Sequence, residues 1–347
     1  LSVTDFVHRD LANFSVADIH RSIPHFADGL KPSQRKVIYS CLKKNLTSDM
    51  KVAQLAGYVA EQTQYHHGEA SLQGTIVNLA QNFMGANNIN LLEPSGQFGT
   101  RLMGGKDAAS ARYIFTRLAP QTTKLFDSRD NAVLKYVFED GDQVEPEFYL
   151  PILPMILVNG AEGIGTGFSC TVPPYNPVDI KANIVRMLNK QPPVPMTPWF
   201  KGFKGKVTKK NDTTWTLEGV CKKEGDFLRV TELPPGVWTQ DFKEKLEKLE
   251  LKYENHSTET QVNFKVWCEE APEVTRTIHT SNMYLMTPRG IKKYASPEEI
   301  LTDYMSYRTD VYKRRKDHLL RTMTHEMNVL TLKARFIMDV IEDRLVV

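Results

Sequence analysis

The chain has 347 residues, 41% apolar and 24% charged, with 44 Lys+Arg against 41 Asp+Glu. At roughly 100–200 residues per domain, that length allows two or three domains, while a net charge of +3 by itself says little about partners. Cys41, Cys170, Cys221 and Cys268 lack Cys-x-x-Cys spacing, which argues against a structural zinc or a disulfide framework and for a reducing intracellular setting.

In chain order, residues 1–130 read as mostly helical. Asp28-Gly29-Leu30-Lys31-Pro32-Ser33 is a turn leading into a helix from Gln34 to Lys44, which places Arg35 and Lys36 in its first turns. Val52 to Glu61 and Ala70 to Phe83 repeat the helical pattern, and three compact helices in this order suit a helix-turn-helix core. The glycine-rich reach Gly96 to Gly105 is expected to form the loops and short strands of a wing. Between Lys31 and Arg117 ten basic residues face five acidic ones, a balance that suits a polyanion.

From about residue 131 the texture changes to short β-type runs: Leu134 to Glu139, Lys204 to Lys209, Thr213 to Val220, Phe227 to Glu232, Val262 to Trp267 and Ile278 to Met286. Phe242 to Leu251 is a charged helix among them. Ser296 as an N-cap, Pro297 at the first helical position and Glu298-Glu299 behind them start a helix that runs on to the chain end. The most apolar run, Phe148 to Val158, contains Pro151 and Pro154 and is too short to span a bilayer. No membrane segment is expected. Leu1 opens without a secretion signal and Val347 follows a helical pattern without a capping glycine, so an excised fragment is expected.

The most telling stretch is Gly104-Gly105-Lys106-Asp107-Ala108-Ala109-Ser110-Ala111-Arg112-Tyr113-Ile114-Phe115-Thr116-Arg117. A phenol with a pKa of about 10 attacks a phosphodiester only if nearby cations stabilise the phenolate and the five-coordinate phosphorus, and Arg112 is placed to do so. Taken alone, the run also reads as a packed strand or helix start beside a solvated charge.

Several segments in one order decide between these readings. Arg21-Ser22-Ile23-Pro24, Asp28 to Val37, Lys51 to Gly57, Tyr65-His66-His67-Gly68-Glu69, Asn78 to Phe83, Gly96 to Arg101, the tyrosine run and Asn159-Gly160-Ala161-Glu162-Gly163-Ile164-Gly165-Thr166-Gly167 together resemble eukaryotic-type DNA topoisomerase II, a type IIA enzyme. The Tyr-His-His-Gly-Glu and Tyr-Ile-Phe-Thr forms favour the eukaryotic branch, including large DNA viruses of eukaryotes.

The resemblance implies a multidomain α+β chain: a winged-helix (helix-turn-helix) domain at residues 1–130, a mixed α/β tower domain at 131–292 and a partial coiled-coil arm at 293–347. It implies an ATP-driven homodimer that cuts one DNA duplex, passes another through and reseals the first. Tyr113 is then the nucleophile of a 5′-phosphotyrosyl link and Arg112 its phosphate stabiliser. Arg35, Lys36 and His67 match phosphate-contacting positions, Lys106 joins them as an expected DNA contact, and Ile164 is the wedge pushed between base pairs. Ala111 departs from the proline often found there, and the stretches Glu247 to Val262 and Glu270 to Ile278 are shorter than usual.

No metal site is expected here: His66 and His67 lack ligand spacing, and the family holds Mg²⁺ on a Toprim domain for which the chain has no matching segment. ATP would bind elsewhere in the full enzyme, so the fragment is not expected to cleave alone. The setting implied is intracellular: nuclear if cellular, host cytoplasm or nucleus if viral. Two rival readings are a passive DNA-bending module and a protein-interaction scaffold.

Overall fold

The computed structural model describes residues 2–270 and 272–345. Its first helical run, Val3–Asp5, Phe6–Leu11 (a π-helical turn) and Ala12–Ser22, buries no residue. Three packed helices follow. Pro32–Lys44 starts on a proline, whose missing N–H is no loss at that position, and stops at Asn45 in the left-handed region at φ 50°. Val52–Thr63 buries Val52, Leu55, Ala56 and Val59, and Glu69–Ala80 buries Leu72, Ile76 and Leu79, both at the three-and-four spacing of a helix face. The second of these ends before Phe83, because Gln81 turns extended and its side-chain amide donates to Phe98 O at 2.9 Å.

The helices pack against a three-stranded antiparallel sheet with Phe115–Leu118 between Met50–Lys51 and Leu92–Ser95. No strand forms in the Gly96 to Gly105 reach, contrary to expectation. Side chains close that loop instead: the Thr100 amide and hydroxyl donate to Asp107 at 2.8 and 2.5 Å.

Ala161–Gly165 and Phe168–Val172 form a hairpin at one edge of a four-stranded sheet completed by Met283–Thr287 and Gly290–Tyr294. The expected single run Ile278 to Met286 is two strands in different sheets, since Thr275–His279 pairs with Thr214–Glu218. A helix at Pro177–Leu188 goes unread in the sequence, although Asn176 accepts from the Val178 amide at 2.9 Å and Pro177 opens it.

Two cores result. The larger runs from Ile23 to Val311 and joins Val37, Leu55 and Ile76 to Val158, Val172, Ile180, Leu285 and Ile300. The smaller unites Val230, Phe242, Leu246, Phe264 and Val266. The larger core includes residues on both sides of positions 130 and 292: the four-stranded sheet lies on the helix Ala12–Ser22, and the root of the last helix lies on the turn Ser128–Val133. That last helix, Pro297–Ile341, has 45 residues and buries only Ile300, Leu301, Tyr304, Arg308 and Val311. The described residues form a mixed α/β structure with a long C-terminal helix, and none of their helices is long and apolar enough to cross a membrane.

Candidate nucleic-acid interface

Tyr113 sits on a turn whose neighbours are anchored inward. Ala111 and Ile114 are buried, and their carbonyls accept from the Ala53 and Val52 amides at 3.1 and 3.0 Å. The two residues between them have nowhere to go but out: Tyr113 is 72% exposed and Arg112 is exposed beside it. The turn closes through Tyr113 N donating to Ser110 O at 2.9 Å. Lys106 is exposed on the braced loop just before, and Lys51 is exposed nearby, 5.9 Å from the Phe115 ring. A side chain raised on a protrusion is open to a large partner. A cleft of about 670 Å³ beside Gln97, Arg229 and Asn263 does not include it.

His67 is exposed on the loop that precedes Glu69–Ala80, its ring 5.4 Å from Tyr65 in an edge arrangement. The Tyr113 turn holds the start of Val52–Thr63 while the His67 loop follows that helix's end, so the two lie on the order of 18 Å apart along its axis.

Arg35 and Lys36, expected to hold DNA phosphates, are buried and ion-paired rather than open surface cations. Arg35 Nε and Nη2 donate to the buried Asp28 carboxylate at 2.8 and 3.1 Å, and Nη2 also reaches Leu30 O at 2.8 Å. Burial works against its charge, and Asp28 outweighs that, raising the guanidinium pKa above its usual value. Lys36 Nζ is enclosed by Thr63 O, Glu139 and Glu145 at 2.8, 3.1 and 3.0 Å. Both lie on the inward face of their helix, which residue type alone did not reveal. Arg101 is likewise buried on Glu232, and Arg117 is paired with Glu93 at 2.7 Å, so the basic excess counted between Lys31 and Arg117 overstates the open positive surface. Nearby His25 is a core residue stacked 4.2 Å from Phe148, and burial pushes its pKa down to about 3.

Ile164 is 85% exposed on the edge hairpin. The glycines flanking it are explained by the helix Ala12–Ser22 beneath: a Cβ on Gly163 would overlap the Ser22 carbonyl, and one on Gly165 would meet Ile19 Cα at 3.3 Å. Arg21, exposed on that helix and bonded to Asp18 at 2.6 Å, is a cation beside the hairpin that charge counting from Lys31 onward missed. Its signal was the Arg-Ser-Ile-Pro run itself. Among the described residues, no three His, Cys, Asp or Glu side chains converge in a group suited to a metal ion.

The DNA gyrase/topoisomerase IV A-subunit family matches residues 21–346. The chain is 46% identical to a DNA topoisomerase 2 of Penicillium chrysogenum and 44% identical to that of Saccharomyces cerevisiae, in each case over all of this chain and 23% and 26% of the relative. It therefore spans about a quarter of the length of these relatives. The first alignment runs over 371 positions, more than the residues of this chain, so that relative carries insertions. A crystal structure described as the Plasmodium falciparum topoisomerase II DNA-binding, cleavage and re-ligation domain superposes with a TM-score of 0.94 at 44% identity, covering 100% of this chain and 51% of that one. With nearly its whole length matched in sequence and in fold, the chain belongs to the type IIA DNA topoisomerase family.

Proposed function

We propose that this chain is the part of a type IIA topoisomerase that carries the DNA-cleaving tyrosine and bends the duplex to be cut. The carrying observation is the exposed Arg112-Tyr113 pair on a turn pinned from both sides by Ala111 and Ile114. In the forward step Tyr113 Oη bonds to phosphorus, the bond from phosphorus to O3′ breaks, the phenol gives up its proton and O3′ gains one. The reverse step restores the strand without an external energy source. Arg112 offsets charge on the phosphate oxygens as the new bond forms. His67 and Lys106 contact DNA, and Ile164 unstacks a base step to bend the duplex.

In this reading the three helices with their three-stranded sheet form a winged-helix domain, the region around the smaller core is the tower, and the last helix is the outgoing half of a coiled-coil arm. The separation of Tyr113 from His67 supports a homodimer, because a second copy can bring the two sets of groups together. The donor set among the described residues does not fit Mg²⁺; Mg²⁺ and ATP belong to other segments of the full enzyme, which acts on double-stranded DNA inside the cell.

The test is covalent trapping. Full-length enzyme, supercoiled DNA and Mg²⁺ are mixed and quenched with detergent; wild type gives protein-linked breaks and Tyr113→Phe gives none. Equal yields from the two would leave only a passive bending module.

A further inference from the structure

The Ile164 hairpin lies at the edge of its sheet. Its strand Ala161–Gly165 is an edge strand; the third strand joins the hairpin in ladder register at Met283–Cys170 and sets the Tyr284 ring 5.3 Å from Phe168, leaving the turn residues Thr166 and Gly167 beyond the strand pairing. Phe168 follows the turn and pairs with Gly165, leaving Thr166 and Gly167 as the two-residue loop, with Gly167 at φ +77°. Ile164 stands one residue behind that loop. A side chain that parts stacked bases is pushed back by the stack, so a tip free to tilt would lose the bend it is meant to impose.

The turn itself is held by one carboxylate on the neighbouring helix. Asp18 Oδ2 accepts from both the Thr166 amide and the Thr166 hydroxyl, each at 2.9 Å. Its other oxygen accepts from Arg21 Nη2 at 2.6 Å, which fixes the carboxylate's orientation from the far side. The glycines give the contact its closeness: Gly163 and Gly165 let the strand lie on the Ser22 carbonyl and the Ile19 backbone. The Asp18 carboxyl is held below the usual carboxylate range by its bonds to Arg21 and Thr166, consistent with an acceptor that stays ionised.

We infer that Asp18 is a positioning residue for DNA bending: through Thr166 it latches the hairpin tip to the helix Ala12–Ser22 and so fixes the height and tilt of Ile164. The inference rests on the reading of Ile164 as the wedge. Asp18 acts through the hairpin rather than on DNA. Charge-assisted hydrogen bonds are the stronger kind, and three of them meet on this one group.

The experiment uses the full-length enzyme and an end-labelled duplex whose bend is read by energy transfer, with duplex affinity measured in parallel. Asp18→Ala and Thr166→Ala are each expected to lower the bent-to-straight ratio by about tenfold while duplex affinity changes by less than about threefold. Asp18→Asn, which keeps an acceptor oxygen, restores most of the bend. Asp18→Ala added to Ile164→Ala lowers the ratio no further than Ile164→Ala alone. Thr166→Ala guards against misfolding of the Asp18 variant, since it cuts the same contact from the exposed side. Normal bending by Asp18→Ala and Thr166→Ala, with bending lost in Ile164→Ala, overturns the latch and leaves the wedge standing. Normal bending by Ile164→Ala overturns both.

Discussion

Asp28 is a fully buried carboxylate, and a charge in that position must be met inside the protein. It accepts from Arg35 through two nitrogens and from the Leu30 and Tyr149 amides at 3.0 and 2.9 Å. Arg35 thus ties the turn at Asp28 to its own helix and to the segment at Tyr149. Arg35→Ala would strand Asp28, and breaking one side of a buried pair destabilises by about 3–5 kcal/mol. Urea unfolding should show that loss, whereas a phosphate contact would show in the log–log salt dependence of duplex binding, whose slope falls by roughly one for each contact removed. We expect unchanged slope and reduced stability. A shallower slope with full stability would return Arg35 to the DNA surface.

Among the elements, the hairpin Ala161–Gly165/Phe168–Val172 depends most on what its residues lack. Gly163 faces the Ser22 carbonyl so closely that a methyl group cannot be added without moving the strand. Gly163→Ala is expected to cost about 1–3 kcal/mol and to reduce bending with it, as overpacked contacts do. Thermal unfolding and the energy-transfer bend are the measurements, and wild-type behaviour in both would show that the strand has room. Elements whose signals are local were legible in the sequence. The start of Pro297–Ile341 reads directly from Ser296, Pro297 and Glu298-Glu299, and Ser296 Oγ indeed accepts from the Glu299 amide at 3.3 Å. The motif singled out Tyr113, but its exposure on a turn depends on the inward anchoring of Ala111 and Ile114. What stayed hidden depends on contacts distant in sequence. The inward turn of Lys36 needs Glu139 and Glu145 in place, the burial of the Arg35–Asp28 pair needs the segment at Tyr149, and the latch needs Asp18 beside Thr166, 148 residues away.

Across the whole molecule, the two cores set how the protein opens. Phe264 is buried in the smaller one with Phe242 at 5.1 Å between ring centroids. Phe264→Ala should destabilise that unit by about 3–5 kcal/mol, and hydrogen exchange should speed up through Phe227–Glu232 and Phe264–Trp267 while Val52–Thr63 stays protected. Uniform acceleration would mean the cores unfold as one. The larger core also grips the last helix. Arg308 Nη1 donates to Asp130 and to Leu150 O at 2.5 and 2.7 Å, and Arg315 bridges Asp127 and Asp130. If Tyr113 holds a cut strand end, the protein becomes a tether under tension, and the turn is its hook. Two main-chain bonds at Val52 and Ala53 pass the pull straight into a helix of the larger core, with no slack loop between hook and body. Any drift of the severed ends apart must therefore be taken up by movement of that whole rigid body, not by stretching at the tyrosine.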